Sequence, residues 1–181
     1  MIARALLALL AVVGASTARA DQTDPRLELF FEELKTADEA EAARLSTRIV
    51  EVWSEASSPT AQLLFNRALE AEFAGETDLA DELLTQTVGL YPSFAEAWAA
   101  RGRIRLAAGD VERATRDFVE TRRLEQRHYP TLVLIAQTRI AVNDEKGALV
   151  AFLEALALNP HLEQAKSAVR RLQRRVGGQE I

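Results

Sequence analysis

A chain of 181 residues can form one domain with a proper core or a short row of stacked units. With 48% hydrophobic and 27% charged residues it has the composition of a folded globular protein, so disorder is expected only at its ends. The net charge of -5 argues against nucleic acid as a partner, because phosphate binding relies on a basic surface. The lack of cysteine excludes disulfides, thiolate metal sites, cysteine nucleophiles and a lipid-anchoring cysteine.

Residues 1–20, MIARALLALLAVVGASTARA, read as a cleaved secretory signal peptide. Arg4 supplies the positive charge, Ala5 to Val13 form a short apolar run, and Ala18-Arg19-Ala20 fits the small-x-small cleavage pattern. The run is shorter than the ~20 residues that span a bilayer, which disfavours an uncleaved anchor. Cleavage after Ala20 starts the mature chain at Asp21, and loss of Arg4 and Arg19 takes the formal charge from -5 to -7. An exported protein without stable membrane insertion is the expectation. Abundant arginine and alanine, with no cysteine after the signal, suggest the periplasm of a GC-rich Gram-negative bacterium as the expected location.

Residues 21–60 read as a degenerate pair of helices. Asp24-Pro25 looks like a helix start, and Leu27, Phe30, Phe31 and Leu34 have the 3.6-residue spacing of a buried face. A second helix begins near Asp38, whose Glu41 three places on suggests a capping box, and carries Leu45, Ile49, Val52 and Trp53 on one stripe. The pair is expected to cover the first of the repeats that follow, since terminal units of such arrays are atypical.

Those repeats begin after Ser58-Pro59. Pro92 and Pro160 stand sixty-eight residues apart, twice thirty-four, and frames at 61–94, 95–128 and 129–162 align without a gap. Leu64, Trp98 and Leu132 correspond, as do Ala68, Gly102 and Ala136, then Gly75, Gly109 and Asn143, then Ala80, Ala114 and Ala148, then Leu84, Phe118 and Phe152. Each frame reads as a helical hairpin. Gly75, Gly109 and Asn143 tolerate the left-handed backbone that ends a first helix, and Glu76, Asp110 and Asp144 put acidic groups at the start of the second. Gly102 gives up about 1 kcal/mol of helix propensity relative to alanine, which a close helix crossing explains. Residues 163–176 read as a capping helix with Ala165, Ala168, Val169 and Leu172 facing inward, and 177–181 as a flexible tail.

The order of aromatic, small, small, aromatic and proline positions resembles the tetratricopeptide repeat. The resemblance covers Ala61 to Leu162 and departs at Arg127 to Pro130, where Gln126 takes the place of the expected proline. It implies an all-α, right-handed superhelical solenoid of antiparallel helical hairpins. It also implies that first helices line a concave groove, here through Gln62, Phe65, Leu69, Glu72, Glu96, Ala99, Arg103, Leu106, Val133, Gln137 and Ile140. Phe65 and Leu69 would be large apolar groups open to a partner, unless the N-terminal helices cover them. The clamp by which co-chaperone members hold a C-terminal carboxylate is missing, as Phe65, Leu69, Ala100 and Leu134 occupy its places.

No catalytic, cofactor or metal motif is found. His128 and His161 lie in inter-repeat turns, without cysteine or a histidine pair at helical spacing. The RRLQRR cluster, Arg170 to Arg175, complements a helix C-terminus better than it marks an anion site. Arg67 and Arg101 share one place in their frames and Arg105 and Arg139 another, so they are expected to reach between repeats with stems packed and guanidinium groups bonded. Charge is uneven: Asp21 to Glu55 holds ten acidic and four basic residues, Arg101 to Arg139 nine basic and five acidic. A non-catalytic scaffold that binds a protein or peptide is the function expected, with a self-associating structural subunit, a homo-oligomer, as the alternative.

Overall fold

The computed structural model describes residues 22–177, so the predicted signal peptide and residues 178–181 lie outside it. The described residues form nine helices and no strand: α1 Arg26–Thr36, α2 Glu39–Trp53, α3 Pro59–Phe73, α4 Thr77–Leu90, α5 Ala95–Ala107, α6 Val111–Leu124, α7 Tyr129–Ala141, α8 Glu145–Leu158 and α9 Glu163–Gly177. None is long and apolar enough to cross a membrane. Helices α3/α4, α5/α6 and α7/α8 are the three hairpins that the period predicts, and α9 packs on α8.

The turns inside the hairpins follow from backbone sterics. Gly75 and Gly109 have φ of 79° and 82°, and Asn143 has 60°. These are left-handed conformations that glycine and asparagine adopt at least cost. Asp110 and Asp144 then cap the following helices, accepting from the backbone N–H of Arg113 at 3.0 Å and of Gly147 at 2.9 Å. Asp38 caps α2 in the same way, through Glu41 N at 2.9 Å.

The close crossing at Gly102 is present. A Cβ there would stand 2.5 Å from Phe118 Cε1 and 3.1 Å from Asp117 Cβ, so α5 and α6 meet at a distance that only glycine permits. Trp98, half-buried one turn earlier, donates its indole N–H to the Pro92 carbonyl at 3.0 Å. Inward-facing Ala165, Ala168, Val169 and Leu172 join α9 to Ala136, Ala148 and Phe152 in one apolar cluster. The helix runs one residue past the predicted boundary, through Gly177.

The N-terminal hairpin does not cover the first repeat. Its aromatic stripe, Phe30 and Phe31 from α1 with Ile49, Val52 and Trp53 from α2, is buried against Tyr129, Leu132 and Ala155 of the third repeat, with Leu158 and Leu162 beside them. The hairpin therefore lies along the edge formed by the three inter-repeat turns. Gln22 donates to the Ser93 carbonyl at 2.6 Å in the first turn. In the second, Trp53 Nε1 donates to Glu125 and Arg127 pairs with Glu28. In the third, Asn159 donates to Ser46 Oγ at 3.1 Å, and the His161 ring lies 3.0 Å from the Leu34 carbonyl oxygen. So large an apolar stripe needs an apolar partner, and the turn edge supplies one. Among the described residues nothing caps the first repeat, and Leu63, Phe73 and Leu79 are exposed.

Candidate functional site

The residues expected to line the groove divide into two groups. In the first two repeats nearly all are engaged within the chain. Phe65 is not an open anchor: it is 1% exposed and meets the Phe94 ring edge-on at 5.0 Å between centroids, so the turn that ends its own frame buries it and not the N-terminal hairpin. Leu69 is half-buried in the same cluster and Ala99 is buried. Gln62 holds the α2–α3 linker in place, accepting from Ala56 N at 2.7 Å and donating to the Ser54 carbonyl at 3.1 Å. Glu72 and Arg103 form a two-pronged ion pair across adjacent hairpins, with Arg103 Nη2 to Glu72 Oε2 at 3.0 Å. Leu106 is half-buried.

Glu96 lies 2.8 Å from His128 Nε2. The other ring nitrogen, Nδ1, accepts from Thr131 N at the start of α7, so Nε2 carries the proton and donates to Glu96. The ring is 2% exposed and stacks on Trp53 at 4.5 Å. His128 thus caps α7, ties the second repeat to the third and seats the N-terminal hairpin. Arg127 beside it bonds both oxygens of the buried Glu125 and covers the Phe31 ring at 5.1 Å. This seat falls where the repeat pattern departs, at Arg127 to Pro130, a departure that did not by itself say what packs there.

In the third repeat the groove is open. Val133 is half-buried, Gln137 and Ile140 are exposed, and all three line a cleft of about 460 Å³ between α7 and α9. Phe152 and Ala168 contribute apolar wall, and Gln164, Ser167 and Arg171 add polar groups from α9. A cleft of this size, apolar inside with a few polar groups at its rim, suits the side chains of a bound peptide. Arg171, from the arginine cluster, faces this cleft, while Arg175 pairs with Glu145.

The reach of the arginines between repeats holds at one junction. Arg101 is 8% exposed, bonds Asp117 through Nη2 at 2.7 Å and lies over the Trp98 ring at 4.8 Å. Arg105 bridges Asp81 and Asp117 at 2.6 and 3.0 Å. Arg67 is exposed, and Arg139 turns back to Asp144 in its own hairpin. The Arg105 guanidinium is held charged above its ordinary value: burial opposes the charge, but the Asp81 and Asp117 carboxylates outweigh it. Among the described residues no three histidine or carboxylate side chains converge as metal ligands do.

Three stacked hairpins with left-handed turns and small residues at the crossings decide the architecture. The fold is a tetratricopeptide-like solenoid. No protein-family model matches the chain. It is 25% identical over 154 residues to a TPR repeat-containing protein of Rhizobium etli, across 84% of this chain and 76% of that protein. The first TPR of Spaghetti (RPAP3), bound to an HSP90 peptide, superposes with a TM-score of 0.63 at 17% identity, covering 66% of this chain and 95% of that one. The type III secretion chaperone SycD of Yersinia enterocolitica, in complex with a peptide of the translocator YopD, gives 0.62 at 14% identity, covering 65% and 95%.

Proposed function

We propose that the chain is a non-catalytic tetratricopeptide scaffold of the bacterial cell envelope. In this reading it binds a protein or peptide at the C-terminal end of its concave face. The observation that carries the reading is the open cleft of Val133, Gln137 and Ile140 against α9, beside a groove whose other members are already paired or packed. The peptide complexes of the Spaghetti domain and of the secretion chaperone support a groove ligand here. Placement in the periplasm rests on residues 1–20 as read from the sequence.

The test is a photo-crosslinking amino acid placed at Ile140 in one strain and at the exposed Val50 of α2 in another. Adducts at Ile140 alone, identified by mass spectrometry, support the groove; equal adducts at Val50, or none at Ile140, reject it. N-terminal sequencing of the envelope protein should begin at Asp21, and retention of Met1 would point to an anchored form instead.

A second reading, self-association, is favoured by the uncapped first repeat, where Leu63 is 60% and Phe73 97% exposed. Solenoid ends without a polar cap tend to stack on one another. Light scattering separates the two: a dimer that Phe73→Glu converts to a monomer supports the structural role.

A further inference from the structure

The two junctions between repeats are built from corresponding residues with opposite chemistry. At the first, Arg101 and Arg105 from α5 meet Asp81 and Thr85 from α4 and Asp117 from α6, and this polar network ties the hairpins together beside a crevice of about 220 Å³. Thirty-four residues on, Asp81 is replaced by Thr115, Thr85 by Val119, Arg101 by Ile135 and Asp117 by Ala151, while Arg105 is matched by Arg139. Lacking the carboxylates, Arg139 turns to Asp144, in space that Gly147 leaves open.

The second junction lacks this network and is more open than the first. Two adjoining crevices of about 310 and 400 Å³ lie beside α7, sharing Ile135 and Arg139 as walls. The smaller is mainly apolar, with the Arg139–Asp144 pair at its wall and Val119 and Val142 at 58% and 60% exposure. Arg122 lines the larger one. Its Nη1 is buried without a hydrogen-bond partner among the described residues, and its Nη2 reaches Glu154 only at 3.5 Å. At 3.6 residues per turn, Ile135, Arg139 and Val142 lie on the side of α7 opposite Val133, Gln137 and Ile140. These crevices are therefore separate from the groove.

We propose that the α6–α7 crevices form a second docking surface, for a segment of a partner protein that carries a carboxylate beside a branched aliphatic side chain. The carboxylate enters between Arg122 and Arg139, supplying what Asp81 and Asp117 supply to Arg105 at the first junction. The aliphatic group fills the space between Val119 and Val142. Both needs are read from this chain: two guanidinium groups with unspent donors and an apolar space bounded by valines. The proposal does not depend on the groove.

The test is a titration of the full chain with acetyl-Glu-Ile-Val-Glu-amide, followed by methyl NMR. Saturable shifts are expected at Ile135, Val119 and Val142, with Val133 and Ile140 unmoved. The peptide with both glutamates replaced by glutamine should bind about tenfold more weakly, as loss of a charge-assisted hydrogen bond implies. The pair Thr115→Asp and Val119→Thr, which rebuilds part of the first junction, should abolish the shifts at Ile135 and Val142. Arg139→Gln, at an exposed side chain whose one ion pair is with Asp144, serves as a second variant and should weaken the shifts. Equal binding of the glutamine peptide, binding that both variants retain, absence of saturation, or shifts at Val133 and Ile140 instead would each overturn the proposal. So would concentration-dependent broadening at Val119 without peptide, which would assign the surface to a second copy of the chain.

Discussion

Replacing Gly102 with leucine should destabilise the array by more than about 2 kcal/mol, and the structure shows why. Even the first added carbon would lie 2.5 and 2.8 Å from two ring atoms of Phe118, where ordinary carbon contacts are about 3.5–4.0 Å. The ring cannot swing aside: Phe118 is 1% exposed, and the neighbouring Asp117 is held by Arg101 and Arg105. For alanine, a gain of about 1 kcal/mol in helix propensity opposes about 1–3 kcal/mol of overpacking, for a net change between zero and about 2. Leucine has slightly less propensity than alanine to offer and three further carbons to place, so the steric term decides.

Urea unfolding followed by circular dichroism measures this, and a thermal scan should show the leucine variant melting at least about 5 °C lower, given about 2–4 °C per kcal/mol for a chain of this size. Shortening the ring should relieve the clash. Phe118→Leu in the Gly102→Ala background should therefore cost less than the sum of the two single changes, by about 1 kcal/mol. An unchanged midpoint for Gly102→Leu, or strict additivity in the alanine cycle, would refute the assigned crossing.

Three further outcomes follow from the packing. Trp53→Ala, which removes a side chain stacked on His128 and tilted against Tyr129 at 5.7 Å, should cost about 3–5 kcal/mol and release the N-terminal hairpin, so that limited proteolysis cuts first between Thr36 and Ser58. Asp117→Ala should cost about 3–5 kcal/mol in urea unfolding, because it strands the buried Arg101 and one arm of Arg105. Tyr129 gives a pH signature: burial pushes its pKa up, and neighbouring Ser46 and Asn159 leave its hydroxyl short of hydrogen-bond geometry. Its stabilising contribution is complete below the unfolded value of about 10 and is lost as pH rises through the higher folded value. Alkaline loosening of the hairpin, read by hydrogen exchange, should therefore be absent in Tyr129→Phe.

What could be read in the sequence was whatever repeats. The thirty-four-residue period located three hairpins, the left-handed residues 75, 109 and 143, and the crossing at Gly102, because each is a local requirement restated in every frame. The inward face of α9 was legible from helical spacing for the same reason. The seat of the N-terminal hairpin was not. Trp53 and Glu125 are seventy-two residues apart, and Ser46 and Asn159 one hundred and thirteen, and such contacts leave no periodic trace in either segment. Amphipathic spacing showed that α1 and α2 each bury a stripe, and said nothing of what against. The excess of acid in Asp21 to Glu55 and of base in Arg101 to Arg139 was a partial clue, since Glu28 and Arg127 meet across that interface. Phe65 was misplaced for a related reason: its exposure depends on Phe94, a turn residue at the end of its own frame, and not on its helical position.

These contacts grade the groove along its length. A ligand polar group that meets Arg103 must compete with Glu72 for the guanidinium, and one that meets Glu96 must displace His128, which would also loosen the cap of α7. Each new bond there replaces an existing one, so the net gain is small. Ile140 and Gln137 have no such prior partner among the described residues, and burying the 39% of Ile140 that is exposed is worth about 0.6–1.2 kcal/mol of the 1.5–3 kcal/mol of a full aliphatic burial, or roughly three- to sevenfold in affinity. Ile140→Ser should therefore weaken partner binding by about three- to sevenfold, while Arg103→Gln changes it by less than about twofold, in titrations of the two folded variants. Stronger loss with Arg103→Gln than with Ile140→Ser would show that a ligand does break the Glu72 pair, and would move the site back to the first two repeats.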